Sequence, residues 1–170
     1  MHDGPRRKRL RYPGHDYRAP CCVHVTICTH HRQPLFGTIT PAGLILNDAG
    51  RFVIEVIRGL HSEDEGILID VYVVMPDHVH VVIMLTDAPG PVRHDLAIEH
   101  VVSRLKMRVM KAWSTGIRTR GWNPYEETLW QRSYNDVLIG TDRHLEQVRA
   151  YIEGNPARAI ERMLSRKQST

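Results

Sequence analysis

Residues 67–75, ILIDVYVVM, and 78–85, HVHVVIML, decide the fold, because only Pro76 and Asp77 stand between them. Both runs have strand length, and Pro and Asp suit the tight turn that such a short link requires. Strands joined this closely pair as an antiparallel hairpin. The first run is almost continuously apolar, which predicts a central strand buried on both faces. In the second, His78 and His80 are two residues apart, so both imidazoles leave the same face of the strand.

Working outward from the hairpin, residues 20–30, PCCVHVTICTH, alternate Val23, Val25 and Ile27 with His24, Thr26 and Cys28, the period of a strand. Residues 32–43, RQPLFGTITPAG, read as a loop rich in turn formers. Over 41–60, Leu44, Ala49, Phe52, Val53, Val56, Ile57 and Leu60 recur at three- and four-residue steps and predict a helix, followed by an acidic turn over 61–66. Residues 86–91 read as a loop. A second helix is expected over 93–114, with Leu96, Ile98, Val101, Val102, Leu105, Val109 and Trp113 on its apolar stripe. A loop over 116–125, a strand over 128–139 and a helix over 141–153 started by Thr141 or Asp142 come next. Asn155-Pro156 should interrupt that helix, with a last helix over about 157–166. The order is βαββαβ with a C-terminal helical extension, an α+β, ferredoxin-like antiparallel sheet with helices packed on it.

At 170 residues the chain suits one domain over 19–170 preceded by a basic arm over 1–18. Its hydrophobic fraction of 42% and charged fraction of 25% exclude disorder over the whole chain. No apolar run reaches the roughly 20 residues of a membrane span, and no signal-peptide pattern opens the sequence. Three cysteines cannot build a disulfide scaffold. A cytoplasmic protein is therefore expected. Cys22, His24 and Cys28 lack the matching pair elsewhere that a structural zinc needs.

Charge is segregated. Residues 1–18 carry a net +4, 91–120 a net +5 and 141–170 a net +2, whereas 37–90 carry −6. Segregated basic regions suit a polyanionic partner. Arg104, Lys106, Arg108 and Lys111 on the second helix, with Arg132 before the last strand, are candidate phosphate contacts. Trp113, Trp122 and Tyr125 are aromatic groups on which bases could stack, although Trp113 lies on the apolar stripe and reads better as core. Histidine is enriched, with eleven residues.

Two constellations carry chemistry. His78 and His80 offer two neutral imidazoles from one strand face, half of a metal site. Tyr151 and Asn155 stand four apart on the expected helix and therefore stack on one face. Taken alone, each pair also fits a buried histidine or a core tyrosine before a helix stop.

VYVVMPDHVHVVIML (71–85) resembles the signature of the HUH single-tyrosine transposases, in which two histidines flank one hydrophobic residue after a Met-Pro turn. AYIEGNPARA (150–159) resembles the tyrosine motif of the same group, specifically of the REP-associated tyrosine transposases. CVHVTICTHHRQPLFG and LWQRSYNDVLI are similar to its first strand and to the strand before the tyrosine. The matches run in family order from about residue 20 to 160. The resemblance implies that His78, His80 and Asn155 bind a divalent metal, Mg2+ or Mn2+, and that Tyr151 is the nucleophile. It implies a transposase that cleaves single-stranded or hairpin DNA through a 5′-phosphotyrosine, acting as a monomer or homodimer. Asp77 stands where the group commonly has Asn, and Gly140 where an arginine is expected. Two other readings remain: a catalytically inactive nucleic-acid-binding module on the same fold, and a metallohydrolase recruiting Asp70 or Asp87 as a third ligand.

Overall fold

The computed structural model describes residues 20–63, 66–86 and 98–168. The expected arm over 1–18, the expected loop over 86–91 beyond Thr86, Asp87, and the start of the expected second helix over 93–97 with Leu96 lie outside them. The elements in chain order are β1 (Cys21–Cys28), β2 (Gly37–Thr40), β3 (Gly43–Leu46), α1 (Asp48–Glu63), β4 (Ile67–Met75), β5 (His78–Leu85), α2 (Ile98–Arg120), β6 (Asn135–Ile139), α3 (Asp142–Glu153) and α4 (Asn155–Gln168).

Four strands form one sheet in the order β4-β5-β1-β6, every neighbouring pair antiparallel. With α1 and α2 in the two crossovers, this is the expected α+β arrangement. Alternation gives the sheet two distinct faces. Val23, Val25 and Ile27 of β1 and Val79, Val81 and Ile83 of β5 are fully buried against α1 and α2. On the other face Val82 and Ile139 meet Val148 and Ile152 of α3 in a smaller cluster. Among the described residues no helix is long and apolar enough to cross a membrane.

Several expected elements are corrected. β4 is an edge strand, not a central one. Its run is apolar because both of its faces are covered: Ile67 and Val74 join the α1/α2 core, while Val71 and Val73 pack with the α3 cluster. Residues 37–46, read as loop and helix start, form a small antiparallel hairpin of β2 and β3. Asn47 then caps α1, its side-chain oxygen accepting from the Gly50 amide at 2.9 Å. The strand expected over 128–139 shrinks to β6. Before it, Trp130 makes only an isolated bridge to Thr29, and the carbonyls of Gln131 and Ser133 accept from the Lys106 ammonium.

α2 runs six residues beyond its expected end, straight through Gly116. The absent side chain admits Trp122: a β-carbon at Gly116 would lie 2.2 Å from its indole. That indole packs on Trp113 and donates to Asp48 at 2.8 Å. Ala in place of helical Gly normally gains up to about 1 kcal/mol. Here overpacking should reverse the sign, costing about 1–3 kcal/mol. Gly116→Ala is thus expected to lower the thermal unfolding midpoint by several degrees; an unchanged or raised midpoint would show that Trp122 yields freely.

Candidate active site

His78 and His80 leave the face of β5 that α3 covers, opposite the main core. Register places Cys28 beside His78 and Thr26 beside His80 on β1, and Asn135 of β6 beside Thr26. The His78 and His80 rings lie 4.8 Å apart between centroids, nearly perpendicular. Each has its Nδ1 engaged. His78 Nδ1 lies 2.5 Å from the Asp77 carboxylate, so Nδ1–H donates to it. His80 Nδ1 lies 2.9 Å from Thr26 Oγ1 and 3.1 Å from His24 Nε2. With a proton on each Nδ1, both Nε2 atoms keep their lone pairs.

Burial sets the charge of the two inner imidazoles, His80 and His24. Burial, reinforced by His78 and His24, lowers the pKa of His80 to about 3, so its ring is uncharged at neutral pH. Burial also lowers that of His24, with a further contribution from His144. Burial opposes ionisation of Asp77, but its bond to His78 and the nearby Arg32 guanidinium outweigh it and hold the carboxyl below its ordinary value.

The tyrosine arrives from α3. Thr141 starts this helix, its side-chain oxygen accepting from the His144 amide at 3.2 Å. Val148 and Ile152 anchor it to the sheet. Arg149 grips Asp70 of β4 with two bonds of 2.8 and 2.6 Å, a bidentate pairing that fixes the helix about its axis. Asp70, a candidate third ligand from sequence, is therefore committed to Arg149. Tyr151 stands 45% exposed, its ring 5.4 Å from His80 and 6.0 Å from His24 between centroids.

The expected interruption at Asn155-Pro156 is a junction: Gly154 keeps a right-handed helical conformation, and Asn155 opens α4 instead of ending α3. The four-residue step from Tyr151 to Asn155 thus survives. Both residues line one cavity of about 500 Å³ together with His78, His80, Thr26, Asn135 and Asp77.

Four residues at this site lay outside the two constellations read from sequence. His24 contacts both His80 and Tyr151; the signal was its place in the β1 alternation, but finding its partner requires the β1–β5 register. Arg158 donates to the Tyr151 carbonyl and its guanidinium lies 4.6 Å above the Tyr151 ring. Its signal was the position two helical turns after the tyrosine. Arg32 and Arg162 add cationic groups to the cavity lining.

The candidate phosphate contacts lie elsewhere. α2 carries Arg104, Lys106, Arg108 and Lys111 over the opposite face of the sheet. Lys106 reaches backbone carbonyls and the Tyr134 ring. Arg108 and Lys111 line a second cavity, of about 520 Å³, with Phe52 and Trp122. Arg132 is exposed before β6. Trp113 and Trp122 are core residues.

A family model described as IS200-like transposase matches residues 18–155. A Haemophilus influenzae protein of uncharacterised function is 25% identical over 160 residues, 88% of each chain. A solved REP-associated tyrosine transposase bound to a REP hairpin is similar in fold, with a TM-score of 0.61 and 15% identity over 88% of this chain and 74% of that one.

Proposed function

This chain belongs to the IS200-like transposase family, and from that premise we propose that it is a metal-dependent endonuclease and strand transferase for single-stranded or hairpin DNA, with Tyr151 as nucleophile. The observation that carries the reading is the convergence of His78, His80, Tyr151 and Asn155 on one cavity. Family membership and the hairpin held by the structurally similar transposase support DNA as the partner.

The donor set fits a divalent ion. His78 and His80 would bind through Nε2, because Asp77 and Thr26 engage the opposite nitrogens, as outer partners of metal-bound histidines do. Asn155 would add its amide oxygen. A Mg2+ or Mn2+ ion held there would polarise the scissile phosphate and offset its developing charge. The Tyr151 phenol oxygen attacks phosphorus, a bond to tyrosine forms, and the bond to the 3′-oxygen breaks to release a 3′-OH. The 5′-phosphotyrosine keeps the phosphoester energy for rejoining, which hydrolysis would lose. Arg158, lying over the tyrosine ring, holds the helix junction that presents the nucleophile. Arg32 and Arg162 give the cavity cationic groups for the DNA backbone.

Incubation with hairpin-bearing single-stranded DNA and Mn2+ tests the proposal. A covalent protein–DNA adduct on a denaturing gel is expected; binding without any adduct would leave the inactive nucleic-acid-binding module. Asp77 gives a finer test. Asp77→Ala should weaken Mn2+ binding by about 10–100-fold, the usual effect of losing an outer partner. Asp77→Asn should retain most affinity, because its amide oxygen still accepts from His78 Nδ1–H. Equal losses in a Mn2+ titration would show that the carboxylate charge, not the hydrogen bond, is what matters.

A further inference from the structure

A second set of metal-type donors lies outside the cavity, where the turn after β1 meets the segment before β6. His30 Nε2 is 3.2 Å from Glu127 Oε2, and the His30 and His31 rings lie 3.9 Å apart between centroids. One ligand atom from each of His30, His31 and Glu127 falls within 4.8 Å of the others. We propose that these three residues form a second metal site, separate from the His78/His80 site, for a borderline ion of the Zn2+ class.

The backbone explains how the donors converge. Adjacent residues of an extended strand point to opposite sides. His31 instead adopts a left-handed conformation, φ 50° and ψ 22°, which turns its ring onto that of His30. Glu127 is left-handed as well, at φ 52°. Among the described residues only His31, Arg32 and Glu127 show positive φ without being glycine. Two of those three are therefore proposed ligands. A simple His30–Glu127 ion pair gives no role to His31 and no reason for its turn.

The two segments are also held in fixed register. Thr29 bridges Trp130, the His30 amide donates to the Leu129 carbonyl at 3.0 Å, and the Glu126 amide donates to the Gln33 side chain at 3.3 Å. The donors are thus presented by a braced frame.

Their chemistry selects the ion. Two imidazoles and one carboxylate suit Zn2+, which takes such ligands at about 2.0–2.2 Å and leaves a fourth position to water. Magnesium prefers an all-oxygen shell. A bound ion would clamp residues 29–33 to 126–130. It would also brace the turn before His78, because the Thr29 amide and hydroxyl both donate to the Asp77 carbonyl at 2.9 Å.

The full-length chain, stripped with EDTA and dialysed, is titrated calorimetrically with Zn2+ and, in parallel, with Mg2+. Its melting point is recorded with and without Zn2+. The wild type should bind Zn2+ at a site that survives His78→Ala with His80→Ala. Zn2+ stoichiometry should fall by one in His31→Ala and in Glu127→Asn, and the Zn2+-induced rise in melting point should shrink in both. Asn tolerates the left-handed conformation, so the metal-free Glu127→Asn protein should melt with the wild type. Undiminished stoichiometry in Glu127→Asn would overturn the proposal, as would loss of all Zn2+ binding on removing His78 and His80. Equal Mg2+ and Zn2+ binding to these residues would overturn the ion assignment.

Discussion

His78→Ala combined with His80→Ala is expected to abolish divalent-ion-dependent DNA cleavage while leaving most DNA binding intact. The two effects separate because they depend on different parts of the molecule. Binding to nucleic acid is chiefly neutralisation of phosphates by Lys and Arg, and burial keeps the His80 imidazole neutral. Cleavage needs an electrophilic centre on the scissile phosphate, and both Nε2 donors would be gone. Some stability is lost too. His80 is 5% exposed, and its removal leaves Thr26 and His24 without their shared partner. An orphaned buried polar group costs about 1–3 kcal/mol, so cleavage is to be assayed well below the lowered melting point. Cleavage persisting in the double variant at undiminished metal dependence would remove both histidines from the mechanism.

What the sequence revealed, and what it hid, follows from the range of the interactions involved. The hairpin of β4 and β5, the strand β1 and the Thr141 cap are local patterns and stand where alternation and capping place them. Tyr151 and Asn155 kept their relation even though a helix junction falls between them, because Gly154 continues the helical turn. The errors occurred where a local pattern had a non-local cause. The apolar run of β4 reports that two faces are covered, not that the strand is central; α3, some seventy residues later, covers the second face. Gly116 reads locally as a helix stop, but its meaning is the space it leaves for Trp122. His24 was visible as a residue of the first strand, yet its contact with His80 depends on register across more than fifty residues. The hairpin of β2 and β3 was missed because two strands of four residues offer too few alternations to outweigh the helical pattern that starts at Leu44.

The two faces of the sheet also divide the protein's charge. The strongest basic segment by sequence, on α2, backs the main core, whereas His78, His80 and Tyr151 open on the other side. DNA reaching the tyrosine would lie beside Arg32 and Arg162 of the cavity lining and Arg158 over the ring. None of these stood out from sequence, because each is an isolated arginine whose neighbours are supplied by the fold.

Tyr151→Phe should fold normally and bind both metal and DNA, yet form no covalent adduct and release no 3′-OH. The substitution removes one oxygen from a ring that is 45% exposed, and such surface changes usually stay within about 0.5 kcal/mol. The edge contacts with His80 and His24 and the Arg158 cation over the ring need only the aromatic face, so α3 should keep its position. What disappears is the oxygen proposed to attack phosphorus. The structure supplies no substitute from the other described tyrosines. Tyr72, Tyr125 and Tyr134 all pack against the main core on the opposite face. The Tyr72 hydroxyl accepts from Arg58, and Tyr134 lies beneath the Lys106 ammonium. Tyr134→Phe is therefore the matched control and should retain full adduct formation. An adduct in Tyr151→Phe, or its loss in Tyr134→Phe alone, would reject Tyr151 as the nucleophile.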